Sequence, residues 1–156
     1  MNRSRDRDPA STSRSRPEET GGPSRRQILI VEDNKADLYL IRESVSALLD
    51  ADLHVVRDGE QAIRFFDAAE SDPAAPCPDL ILLDINLPKR SGREVVREMR
   101  LRPRSANALV VVVTSSDSER DRSLMAELGV SAYFRKPSEY ASFMKLGALV
   151  KGLLGA

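Results

Sequence analysis

A doubly wound α/β domain, with a five-stranded parallel sheet and helices on both of its faces, is the fold class this sequence predicts. Three observations carry that expectation. From Gln27 onward, short aliphatic runs alternate with segments whose apolar residues recur at helical spacing. The aliphatic runs are continuous rather than alternating, as strands covered on both faces should be. Aromatic residues make up 4% of a chain that is 41% hydrophobic, so the core has to be aliphatic, which suits Val/Ile/Leu strands under helices.

The elements follow in order. "QILIVE" (27–32) reads as the first strand, and Leu38, Ile41, Val45, Leu48 and Leu49 mark one face of the helix after it. "LHVVR" (53–57) is a second strand, and "DGEQAIRFFDAAE" opens at a turn dipeptide and continues as a helix. Residues 79–84 form the third strand, and "GREVVREMRLR" gives a third helix that Pro103 stops. "ALVVVVT" (108–114) is the fourth strand. The next helix has Ser116 and Glu119 at capping-box spacing and Gly129 as its C′ residue. "VSAYFR" (130–135) is the fifth strand, and one last helix places Phe143, Leu146, Leu149, Val150 and Leu153 on one side. Strands alternating with helices imply parallel pairing and right-handed crossovers.

Residues 1–26 contain no Leu, Ile, Val or Phe and hold seven Arg against four acids, so a disordered basic tail is expected there, with the folded domain spanning 27–156. The Arg/Ser alternation could attract nucleic acid or anionic lipid, but a solubilising leader accounts for it as well. The remainder carries 17 basic against 20 acidic residues. The lone Cys77 excludes an internal disulfide and fits a cytoplasmic location. No apolar run approaches the roughly 18 residues of a membrane span, and no secretory signal is visible, so membrane insertion is not expected.

In such folds ligands bind beyond the carboxyl ends of the strands. The first strand ends in Glu32-Asp33, the third in Asp84, the fourth in Thr114, and the fifth leads into Lys136. Each has an ordinary explanation singly: a turn residue, a helix-terminus acid, an N-cap, an exposed lysine. Parallel strands would gather all of them at one edge. Carboxylates crowded within about 4 Å repel by roughly 4 kcal/mol per pair at an effective dielectric near 20. A cation must neutralise them, and an oxygen-only donor set selects Mg²⁺, with Mn²⁺ as the alternative. A carboxylate beside that ion, with an ammonium and a hydroxyl aimed at the same spot, is suited to phosphoryl transfer.

"LIVEDN" (29–34), "PDLILLDINLPKRSG" (78–92), "VVVVTSSD" (110–117) and "AYFRKP" (132–137) resemble the receiver domain of two-component response regulators over about residues 27–154. The likeness is strongest to single-domain regulators paired with bacterial phytochrome-type histidine kinases. It implies a flavodoxin-like fold and a phosphorelay role in which Asp84 takes a phosphoryl group from a kinase phosphohistidine or a phosphotransfer protein. It further implies that Asp33, Asp84 and the backbone carbonyl of Asn86 bind Mg²⁺ directly, with Glu32 assisting through water. Thr114 and Lys136 would contact the phosphoryl oxygens. Tyr133 would be the aromatic switch that turns inward when Thr114 moves, and Lys136–Pro137 a cis peptide. The face formed by the fourth helix, fifth strand and fifth helix would change partner binding, and a homodimer through the C-terminal half is an option. No output domain is expected, nucleic-acid binding is not expected, and the chain would be a phosphoacceptor with at most slow self-dephosphorylation, not an enzyme. Glu32 stands where some members have aspartate, and Ser116 occupies a position that influences phosphoryl lifetime.

Two other functions compete. A haloacid-dehalogenase-type phosphohydrolase also places a nucleophilic Asp at a strand end, but carries a second aspartate two residues on, where this chain has Asn86. A non-phosphorylated adaptor would keep only the fold, yet all the acceptor-site residues are present. Arg90, Arg93, Arg97 and Arg100 form a stripe best read as a solvated helix face. His54 and Cys77 are expected to be structural and inert, respectively.

Overall fold

The computed structural model describes residues 25–155. The expected tail lies outside the described residues except for Arg25 and Arg26, and these two belong to the folded part. Arg25 pairs with Asp50 (2.7 Å) and Asp52 (2.8 Å). Arg26 accepts the Asp52 N–H at its carbonyl and donates from its guanidinium to the Leu154 carbonyl.

Five parallel strands, β1 (Gln27–Val31), β2 (Asp52–Val56), β3 (Leu80–Leu83), β4 (Leu109–Thr114) and β5 (Ala132–Arg135), form one sheet in the order β2-β1-β3-β4-β5. The chain leaves β1 toward one edge and returns on its other side, so the order reverses between β1 and β3. Side chains alternate across a strand, and here both sets are buried. Leu29, Val31, Ile81, Leu83, Val110 and Val112 face one side, and Ile28, Ile30, Leu80, Leu82, Val111 and Val113 the other.

The first side is covered by α2 (Gly59–Ser71), α3 (Gly92–Arg100) and α4 (Glu119–Glu127) through Phe66, Val95, Val96, Met99 and Met125. The second is covered by α1 (Lys35–Ser46), α5 (Tyr140–Phe143) and α6 (Lys145–Leu154) through Ile41, Val45, Phe143, Leu146 and Val150. Each of these fully buried aliphatic or aromatic side chains contributes roughly 1.5–3 kcal/mol, which is why helix and strand runs carry so few polar residues inward.

The helices start where the sequence supplies oxygen acceptors for their first N–H groups. Asn34 accepts from the Asp37 N–H, Asp58 from Gln61, and Ser91 forms a full capping box with Glu94. For α4 the cap differs from expectation: Ser118, not Ser116, accepts from the Asp121 N–H, and the Ser116 hydroxyl donates to the Asp121 carboxylate at 2.6 Å. "SSDS" offers several equivalent acceptors, and burying Met125 on the sheet selects the later one. Gly129 follows α4 at φ +75°, as a C′ glycine does.

The single C-terminal helix expected from the periodicity is broken at Met144 into α5 and α6. The cause lies on α1. The buried Ser44 hydroxyl donates to the Met144 carbonyl (2.9 Å) and accepts the Gly147 N–H (2.6 Å), satisfying two backbone groups that a continuous helix would have used itself. Gly147 permits the approach: a Cβ there would lie 2.0 Å from the Ser44 carbonyl oxygen.

The cis Lys136–Pro137 peptide expected from the resemblance is not found, since no peptide bond among the described residues is cis. An X–Pro amide favours trans by about 0.5–1 kcal/mol. The arginine stripe is also not uniformly solvated. Arg100 donates to the carbonyls of Ala106, Ala108 and Gly129, and Arg90 pairs with Glu94. Among the described residues no helix is long and apolar enough to cross a membrane.

Candidate phosphoacceptor site

The parallel sheet brings the expected residues to its carboxyl edge. Glu32 follows β1, Asp84 follows β3, Thr114 ends β4, and Lys136 follows β5 one step past the Thr114–Arg135 pair. β1 and β3 lock in register through Val31 and Leu83, and the Asp84 N–H extends the ladder to the Val31 carbonyl at 3.1 Å. Asp84 therefore sits beside Glu32 for backbone reasons alone.

Lys136 occupies the middle of the cluster. Its ammonium lies 3.0 Å from Glu32 Oε1, 3.0 Å from Asp84 Oδ2 and 2.7 Å from Asp37 Oδ2. The side chains are 8% exposed for Lys136, 2% for Glu32, 12% for Asp84 and 28% for Asp37. Burial alone would lower the lysine pKa. The neighbouring carboxylates of Asp37, Glu32 and Asp84 outweigh it and hold the ammonium above its ordinary value, so it is charged throughout the neutral range. Burial pushes the Glu32 carboxyl up, against the Asn34 N–H and the lysine, and the Asp84 charge adds to the rise. The two shifts have opposite relations to burial: the carboxylate partners raise the lysine against it, and burial itself raises Glu32.

Asp84 is held at both oxygens, Oδ2 by Lys136 and Oδ1 by the Asn86 N–H at 3.0 Å. Thr114 is fully buried, and its hydroxyl accepts a long contact from the Asn86 amide (3.5 Å) and the Ser116 N–H (3.4 Å). Tyr133 is half-buried. Its hydroxyl donates to the Ser116 carbonyl at 3.1 Å, and Arg122 lies over its ring at 4.4 Å. The loop leaving Asp84 contains Lys89 at φ +72°, the one described non-glycine residue in the left-handed region, a conformation common near functional sites.

Asp33 stands apart, exposed at the start of the β1–α1 connection. Among the described residues no three His, Cys, Asp or Glu side chains stand in a chelating arrangement; the carboxylates expected to crowd around a metal turn to the ammonium instead. The donor set still suits a hard divalent cation. All candidate ligands are oxygens, and three carboxylates face one ammonium, leaving two negative charges in excess. Glu32 Oε1 is buried and, although 3.0 Å from Nζ, lies off the direction of a hydrogen bond.

Asp37 is the functional residue that the sequence reading missed. It is an acid in the first turn of a helix capped by Asn34, a position usually explained by the helix dipole. Its spacing of one helical turn from Asp33 was the available signal. His54 and Cys77 fall away from the site. His54 bonds Gln27 and packs on Phe65, and the Cys77 thiol, raised by burial, donates to the Arg104 carbonyl.

Comparison with known proteins agrees with this geometry. The response regulator receiver domain family matches residues 28–146. Response regulator Rcp1 from Synechocystis sp. is 39% identical over 120 residues, covering 76% of this chain and 82% of that protein. The crystal structure of Rcp1 in its Mn²⁺-bound form superposes with a TM-score of 0.73 at 36% identity, over 83% of this chain and 94% of that one. The phosphorylated cyanobacterial phytochrome response regulator RcpA gives 0.75 at 34% identity, over 85% and 97%. With the family model matching residues 28–146 and 39% identity to Rcp1 over most of both chains, the chain belongs to the response regulator receiver domain family.

Proposed function

We propose that this protein is a phosphorelay response regulator that accepts a phosphoryl group on Asp84. The observation that carries the reading is the fixed Asp84 carboxylate, anchored at one oxygen by a backbone N–H and at the other by a buried ammonium. In the transfer, an Asp84 oxygen attacks phosphorus in line. The new O–P bond forms as the N–P bond of the donor phosphohistidine breaks, and the imidazole leaves with the electron pair. Lys136 and the Thr114 hydroxyl meet the phosphoryl oxygens. A bound Mg²⁺ or Mn²⁺, held by Asp33, Asp84 and the Asn86 carbonyl with Glu32 through water, would supply charge neutralisation for the transferring group.

The signal then passes along β4. Thr114 lies two residues before Ser116, whose carbonyl holds the Tyr133 hydroxyl. Drawing Thr114 toward Asp84 loosens that bond and frees the ring to turn inward, away from Arg122, altering the surface of α4, β5 and α5. Lys136→Ala permits some loading but uncouples the switch. The likeness to RcpA favours a phytochrome-type histidine kinase as donor, in the cytoplasm. The protein acts as a phosphoacceptor, with self-dephosphorylation slow compared with enzymatic turnover, and pairs with a second copy through its C-terminal half.

The test is transfer from a ³²P-labelled, autophosphorylated kinase of that class. Label should move to the wild-type chain in the presence of Mg²⁺ and not to Asp84→Asn. Label reaching Asp84→Asn equally would refute the assignment, and steady turnover of varied phosphate esters would favour a hydrolase.

A further inference from the structure

The Lys136 ammonium has three hydrogens and three carboxylate neighbours, and these neighbours are not equivalent. Glu32 is 2% exposed and has no water to turn to if its cation leaves. Asp84 is the acceptor itself. Asp37 makes the shortest approach, 2.7 Å, on the most exposed of the three side chains, 28%. A carboxylate at that depth rehydrates at small cost. It also sits in the first turn of α1, where the helix N-terminus favours a negative charge even without a cation. A phosphoryl group on Asp84 brings new anionic oxygens beside an ammonium that already donates to Asp37 and Asp84 and lies 3.0 Å from Glu32. The acceptor that competes with those oxygens at the smallest cost of release is the one to look for.

We propose that Asp37 is that acceptor: a positioning residue that holds the Lys136 ammonium beside Asp84 before transfer and releases it to the phosphoryl oxygens afterwards. Asp37 thus opposes loading, since its bond to Lys136 must be given up each time the acceptor is occupied. The geometry of α1 makes this possible. Asn34 caps the helix by accepting the Asp37 N–H at 2.9 Å, which leaves the Asp37 carboxylate free to reach across to β5. The inference rests on Asp84 being the phosphoacceptor.

Beryllofluoride, which forms an acyl-phosphate-like adduct on an aspartate in the presence of Mg²⁺, separates the two ideas. Wild type and Asp37→Asn are compared by ¹H–¹⁵N spectra of the lysine ammonium groups, with urea denaturation verifying that both are folded. Before the adduct forms, the Lys136 resonance should differ between the two proteins. After it forms, the resonances should coincide, because Asp37 has let go. Asp37→Asn should bind beryllofluoride roughly two- to fivefold more tightly, the fold-change that a partly exposed ion pair supplies. Coincident resonances before the adduct, resonances that remain different after it, or unchanged affinity would each overturn the role of Asp37. A wild-type protein that takes up no beryllofluoride would instead overturn the phosphoacceptor reading beneath it.

Discussion

Replacing Lys136 by methionine removes the one cation at the centre of the site and keeps most of the side-chain volume. Glu32 and Asp84, 2% and 12% exposed, then face each other with no counter-charge. At 3.0 Å and an effective dielectric near 20, each lost attraction is about 5 kcal/mol. Desolvation of the lysine, no longer required, offsets part of that. Removing one partner of a buried pair costs about 3–5 kcal/mol in practice, and the more exposed Asp37 adds no more than about 1. The expected loss is therefore about 3–5 kcal/mol, a large share of the roughly 5–15 kcal/mol available to a domain of this size. The assay is urea denaturation in EDTA at low ionic strength, pH 7.5. The pH dependence supplies a second reading. Lys136 pulls the Glu32 pKa down, so its removal raises the folded value further above the ordinary 4.5. A raised carboxyl loses stability as pH climbs from that ordinary value through the folded one. Lys136→Met should thus gain stability when the pH is lowered from 7.5 toward the ordinary carboxyl value of 4.5, and excess Mg²⁺ at pH 7.5 should restore much of the loss. A loss under 1 kcal/mol with no change in pH slope would refute the claim that this ammonium neutralises the site.

Other outcomes follow from the same structure. Asp84→Asn removes one of the competing negative charges and should raise stability in EDTA by about 1–2 kcal/mol, while the stabilisation by Mg²⁺ seen in wild type disappears; both are read by the same denaturation curves. Ser44→Ala leaves the Met144 carbonyl and the Gly147 N–H without their partner and should cost about 2–6 kcal/mol by thermal or urea unfolding, at about 1–3 for each buried group. Burial holds the single histidine, His54, below its ordinary 6.5, against the pull of Asp52. Its contribution to stability is complete above that value and is lost as pH falls from 6.5 toward the folded pKa, a slope that His54→Phe should lack.

The strands and the acidic edge were legible because they rest on local composition and parallel topology. A run such as Leu80–Leu83 can only be a covered strand, and the polar residue after it has to fall at the ligand edge. What escaped the sequence depends on partners far along the chain. Ser44 breaks a helix that lies 100 residues later by offering its hydroxyl to Met144. Arg25 and Arg26 look like tail until Asp50, Asp52 and Leu154 are placed beside them. Asp37 reads as a helix-start acid, and only the position of Lys136, 99 residues on, gives it a second role. Ser116 and Ser118 were indistinguishable as caps by composition.

The most direct measurement is the intact mass of the protein after incubation with acetyl phosphate and Mg²⁺. The account predicts an increment of one phosphoryl group, abolished by EDTA and by Asp84→Asn. An unmodified wild-type mass, or an adduct that survives in Asp84→Asn, would contradict it.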